Sequence, residues 1–179
     1  MARAMAERTS PNCRRKIRDW SSDAAGARLP IMQADCASGR RDLALGGLHD
    51  ECFACGVANS DGLSLHFEVG GDGVARAGWQ PEAAYGGYPG RLHGGVIATL
   101  LDSAMVHALA SLGVAGVTVE LTIRYRGAVG LTTPIEARGH VDGERRGVYF
   151  CHAEIVQGGR EVVRARAKFM EFEANSGSW

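Results

Sequence analysis

The sequence predicts an α+β domain in which one long buried helix packs on an antiparallel sheet of about five to six strands. Three observations predict it. Gly94–Leu112 contains no Pro and no Gly after Gly95, and it puts Ile97, Leu101, Ala104, Met105 and Ala108 on one helical face. The segments after it alternate apolar and polar residues with a period of two. Short Gly-rich turns join those segments, which implies hairpins and therefore antiparallel pairing.

Taken in order, residues 1–47 show no sustained period and read as a disordered tail, with a short helix possible around Cys13–Trp20. A domain is expected over 48–173, followed by a short tail at 174–179. Leu63, Leu65 and Phe67 alternate with Ser64, His66 and Glu68, the pattern of a half-buried strand. Gly70–Gly73 reads as a turn and Val74–Gln80 as the return strand. Pro81–Leu92 is a loop rich in Gly, Tyr and Pro. Val96, Leu100 and Leu109 widen the apolar surface of the helix, so it should be buried on most sides; Gly113 stops it. Four strands follow. In the first, Val117, Val119, Leu121, Ile123 and Tyr125 alternate with Thr118, Glu120, Thr122, Arg124 and Arg126. The second is Thr133–Val141. The third is Gly147–Val156, reached through a turn at Asp142–Arg146. The fourth is Glu161–Phe172, with Val163, Ala165, Ala167 and Phe169 on one face. A single sheet on one helix leaves a face and two edges open, which favours a homo-oligomer.

Composition narrows the function. The chain has 179 residues, 20 basic and 20 acidic side chains, and 45% hydrophobic residues. The balance disfavours general nucleic-acid binding, and no apolar run is long enough to span a membrane as a helix. Residues 1–42 carry nine Lys or Arg against five Asp or Glu, so the basic excess lies in the tail. Five cysteines and no signal-peptide pattern favour free thiols and a cytoplasmic setting.

Asp102 is the first candidate for chemistry. It is the only charged residue between Gly94 and Gly113, it lies about 120° from the centre of the apolar face, and Ala98, Val106 and Leu109 flank it. A carboxylate in such surroundings is either at a wet rim or employed as base or nucleophile. His93-Gly94-Gly95 is the second. The first amides of a helix lack intrahelical acceptors, and glycine lets a ligand approach them, so they suit a developing oxyanion. Asp102 follows Gly94 by eight residues, a rise of about 12 Å. Both cannot touch one atom within a single chain. Either the substrate lies along the helix, or two subunits share the site.

The run Gly87-Tyr88-Pro89-Gly90-Arg91-Leu92-His93-Gly94-Gly95-Val96-Ile97-Ala98-Thr99-Leu100-Leu101-Asp102 resembles the helix-entry motif of PaaI-type acyl-CoA thioesterases, which have the hotdog fold. Upstream, Cys52-Phe53-Ala54-Cys55-Gly56, Asn59 and Gly62-Leu63 resemble the start of one bacterial branch. The resemblance extends from about Cys52 to Phe172. It implies a homodimer or dimer of dimers, an acyl-CoA substrate and no cofactor. It also implies Asp102 as base or nucleophile, Gly94 and Gly95 amides at the carbonyl, and a Thr118 hydroxyl that helps place water. One residue departs: several members carry Asn six residues before the His, where this chain has Gly87. Arg124 and Arg126 are the first candidates for the phosphates of coenzyme A. The alternatives are an acyl-CoA sensor without catalysis, a dehydratase pairing Asp102 with His93 or His107, and a zinc or redox protein. For zinc, Cys52-x2-Cys55 could recruit His49 and His66, but no second paired motif stands at a suitable distance, so no metal is expected.

Overall fold

The computed structural model describes residues 47–172. The expectations for the tails, including the helix at Cys13–Trp20, fall outside the described residues. A six-stranded antiparallel sheet runs in the order β1-β2-β4-β5-β6-β3. Its strands are β1 (Glu68–Val69), β2 (Ala75–Trp79), β3 (Gly116–Tyr125), β4 (Ile135–Arg145), β5 (Val148–Gln157) and β6 (Arg160–Glu171). The helix α1 (Gly94–Ala110) lies across it and packs most heavily on β4. This is the hotdog arrangement expected from the sequence. Among the described residues no helix is long and apolar enough to cross a membrane.

The apolar face of α1 is buried as its period demands: Leu100, Leu101, Ala104, Met105, Ala108 and Leu109 are all inaccessible to solvent. All of these but Ala108 join one core cluster with the inward residues of the sheet, including Ala137, Ala153, Ile155, Val163, Ala165 and Phe169. Small residues recur on that sheet face, so the helix backbone comes close. The closest approach is at Gly139 on β4. A Cβ there would stand 2.0 Å from the Ala104 carbonyl oxygen and 2.7 Å from the Met105 nitrogen. No side chain fits, and the helix seats on bare backbone.

Three boundaries differ from expectation. The alternating segment Leu63–Phe67 is not a strand; only Glu68–Val69 pairs with β2. Leu63 and Leu65 are buried, but their amides donate to the carbonyls of Phe53 and Ala54 in the preceding loop. Period-two burial therefore arises here from loop-to-loop pairing. The β4–β5 turn is Arg146–Gly147, not Asp142–Arg146: both residues have positive φ (54° and 78°), as two-residue hairpin loops require, and the strands extend to meet them. Finally, β3 is not a clean period of two. Its register with β6 shifts between Thr118 and Glu120, leaving Val119 as the extra residue of a bulge.

Gly139→Ala is expected to destabilise the fold by about 3 kcal/mol or more, because the obstructing atoms are backbone and cannot yield. Gly78→Ala on β2, which meets nothing within 4 Å, serves as the near-neutral control. Urea unfolding midpoints of the two variants check this.

Candidate active site

Asp102 sits mid-helix, half-buried, between the buried Leu101 and Ser103. Its Oδ1 accepts a hydrogen bond of 2.6 Å from the Thr118 hydroxyl. The bulge makes that contact possible. Directly opposed residues on neighbouring strands share a face, and Thr118 opposes the fully buried Phe169 whereas Glu120 opposes Lys168. Were Val119 paired in an unbroken ladder, Thr118 would lie on the outer face with Glu120 and Thr122. The extra residue turns it toward α1 instead.

Burial pushes the Asp102 carboxyl above its ordinary pKa. The Thr118 hydrogen bond and the nearby His49 imidazole act the other way, favouring the charged form, but burial dominates. His49 is a residue the sequence reading did not place near Asp102. Its one signal was its position beside the Cys-x2-Cys run, which said nothing of the helix.

At the other end of α1, His93 is the N-cap residue. Its Nδ1 accepts the Gly95 N–H at 3.0 Å. That amide is therefore engaged in this structure, a correction to the reading of Gly94 and Gly95 as two open donors. Gly94 N–H, in the first turn, has no intrahelical acceptor. The Gly94 carbonyl accepts from the Tyr125 hydroxyl at 2.9 Å. The loop before the helix is fixed by its backbone: His93 N–H donates to Tyr85 O and Leu92 N–H to Val129 O, both at 2.9 Å. Gly87 lies against this histidine, and a Cβ there would be 3.3 Å from His93 Cα. The position where the family resemblance implies Asn thus borders the helix entry.

The remaining sequence candidates are dispersed. Arg124 opposes Arg164 on the outer face of the sheet, and Arg126 lies 3.3 Å from Glu161. Neither His93 nor His107 hydrogen-bonds Asp102: His93 caps the helix, and His107 Nε2 faces Cys55 Sγ at 3.3 Å. The dehydratase pairing accordingly finds no contact among the described residues. His66 is exposed.

Comparisons with known proteins bear on this geometry. Residues 89–169, from the helix entry to the end of the core of β6, match the model of the thioesterase superfamily. No curated protein matches the sequence. Among solved structures, a thioesterase superfamily protein is 29% identical with a TM-score of 0.62, over 64% of this chain. The chain spans about 60% of that protein's length. A hypothetical thioesterase from Streptococcus pneumoniae, solved with coenzyme A, is 25% identical with a TM-score of 0.56, over 60% of this chain and 87% of that one. The same protein has been solved with an Asp and, separately, a Thr replaced by Ala, at positions sixteen residues apart, which is also the separation of Asp102 and Thr118. PaaI of Escherichia coli, from its phenylacetic acid degradation operon, shares the fold at 23% identity and a TM-score of 0.57, over 61% of this chain and 84% of that one.

Because the folded state raises the Asp102 pKa, ionising this carboxyl opposes folding. Asp102→Asn should therefore be more stable than the wild type at neutral pH. The advantage should fade as pH falls below the ordinary carboxylate range of about 4, where both side chains are neutral. Melting temperatures across that range test it; an advantage independent of pH would show that ionisation is not its source. Residues 89–169 match the thioesterase superfamily's model, and the fold is that of the PaaI-like hotdog proteins.

Proposed function

We propose that the protein hydrolyses an acyl-CoA thioester to a free acid and CoA at a site shared between two subunits. The observation that carries this reading is the half-buried Asp102 held by Thr118 within the thioesterase-superfamily region. The coenzyme A bound to the pneumococcal relative and the equal Asp-to-Thr spacing support the substrate class and the pair.

In this mechanism Asp102 takes a proton from water, or attacks the carbonyl carbon itself. Burial serves the base role, since a raised pKa moves the carboxylate toward working pH. The water oxygen adds to the carbonyl, the C–S bond breaks, and the departing CoA thiolate takes up a proton. Gly94 N–H faces the developing oxyanion; Gly95 N–H joins it when the His93 ring turns away. The amides and the carboxylate are about 12 Å apart along one helix, so the amides of one subunit work with the Asp102 of the other. Strand β3 is an open edge of the sheet, and Val119 and Tyr125 on it are half-exposed. An apolar open edge of this kind supports a homodimer joined there. For the CoA phosphates, Arg124 is the better placed of the two arginines, because Arg126 is already engaged by Glu161, which Arg164 also contacts.

The test is thioester hydrolysis on a small acyl-CoA panel with released thiol as the readout. Asp102→Ala, still folded, should lose about 10²–10⁴ in kcat. Equal turnover would move the chemistry off Asp102. Wild type that binds acyl-CoA but turns over none of the panel would make the protein a sensor. Thr118→Val removes a hydrogen bond to the charged carboxylate. Its Asp102 pKa should rise further, and the acid limb of kcat/KM should move to higher pH. An unmoved limb with an unchanged rate would leave Thr118 a packing residue.

A further inference from the structure

We propose that His49, Cys52, Cys55 and His107 form a binding site for a zinc ion that staples the loop before β1 to helix α1. None of these residues takes part in the proposed hydrolysis, although His49 lies near Asp102.

The geometry comes from two parts of the chain. The ligand atoms of His49, Cys52 and Cys55 all lie within 4.8 Å of one another. Cys55 Sγ is 3.6 Å from His49 Nδ1 and 3.3 Å from His107 Nε2. Tetrahedral zinc holds sulfur and nitrogen ligands at distances that set their mutual separation at about 3.5 Å. The two observed separations bracket that value. The proposed fourth ligand, His107, stands outside that three-residue group and meets it at Cys55, 52 positions away in the chain. The missing second paired motif, which argued against metal in the sequence, is therefore not needed. His66, which the sequence offered beside His49 as a possible zinc ligand, is solvent-exposed, whereas His107 is buried.

Cys55 Sγ faces two ring nitrogens at once, His49 Nδ1 and His107 Nε2. The other nitrogen of His107, Nδ1, is buried without a partner. A cation would accept lone pairs from all four groups together. Two thiolates would cancel the charge of a divalent ion, so the occupied site is neutral and tolerates burial. The N–H of Ala54 points at Cys52 Sγ from 3.4 Å, a donor suited to a sulfur bearing negative charge. Phe67 stacks on His107 at 4.4 Å between ring centres and shields it. Two sulfur and two imidazole ligands select zinc over magnesium or calcium.

The site also has a structural task. Before β1 the described chain has no helix or strand. Among the described residues, it is held by turns, by the Leu63 and Leu65 amide bonds and by the burial of Ala54, Leu63 and Leu65 in the core. A metal joining His49, Cys52 and Cys55 to α1 would fix that segment directly.

The test uses the full chain, expressed with zinc and purified under reductant. Elemental analysis should find about one zinc per chain, falling below about one-tenth in the Cys52→Ser/Cys55→Ser double variant and staying near one in His66→Ala. Cobalt added to the metal-free wild type should give thiolate-to-cobalt charge transfer and the d–d absorption of a tetrahedral site. This readout does not depend on whether a variant folds. Folded, reduced wild type that takes up neither metal would overturn the proposal. So would zinc retained by the double-cysteine variant, which would place the ion elsewhere, as at His140, His152 and Glu154 on the outer sheet face.

Discussion

The seating of α1 on backbone at Gly139 is the contact on which the rest of the structure depends. A helix can lie this close only where the sheet presents almost no side chain, and the inner faces of β4, β5 and β6 supply Ala137, Gly139, Ala153, Ala165 and Ala167 there. Close approach buries the helix on nearly every side. It also fixes the helix's rotation, because turning it would drive Leu101 or Met105 out of the core. Asp102 inherits its position from that lock. Its neighbours in the helix are held by the sheet, so the carboxylate points to the one sector the core does not claim.

That placement has an energetic character of its own. The carboxyl is costly to ionise where it stands, and only one protein hydroxyl and a nearby imidazole offset the cost. Sites of this kind trade stability for a perturbed acid. The lock at Gly139 makes the trade tolerable: the helix does not shift to let the carboxylate escape to water. Rigid core and strained group are two sides of one arrangement.

Much of the fold was legible in the residues. The helix and its apolar face follow from periodicity, and so do the inward residues of β6, although α1 ends at Ala110, two residues short of the expected Leu112, with Gly113 at positive φ just beyond it. Asp102 stood out because a single charge in an apolar window has few explanations. What was not legible depended on contacts between distant segments. Leu63–Phe67 alternates like a strand, yet its partner is a loop, and alternation does not name a partner. Thr118 looked outward because a bulge cannot be seen in a period; the extra residue exists only relative to β6. The capture of Gly95 N–H by His93 depends on a side-chain rotation. The meeting of His107 with Cys55 joins positions that no local spacing connects.

The bulge at Val119 has a consequence for how related chains are compared. A bulge holds one residue more than its partner strand needs, so losing or gaining it leaves the sheet's outline unchanged. Matched without a gap to a bulge-free strand, it nevertheless exchanges the inner and outer roles of every residue on the near side. Two chains of the same fold could then carry Thr at the same column of an alignment, one against the helix and one in water. Homology at that column is decided by the count of residues between Thr118 and its neighbours on β6, and matching letters alone will misassign it.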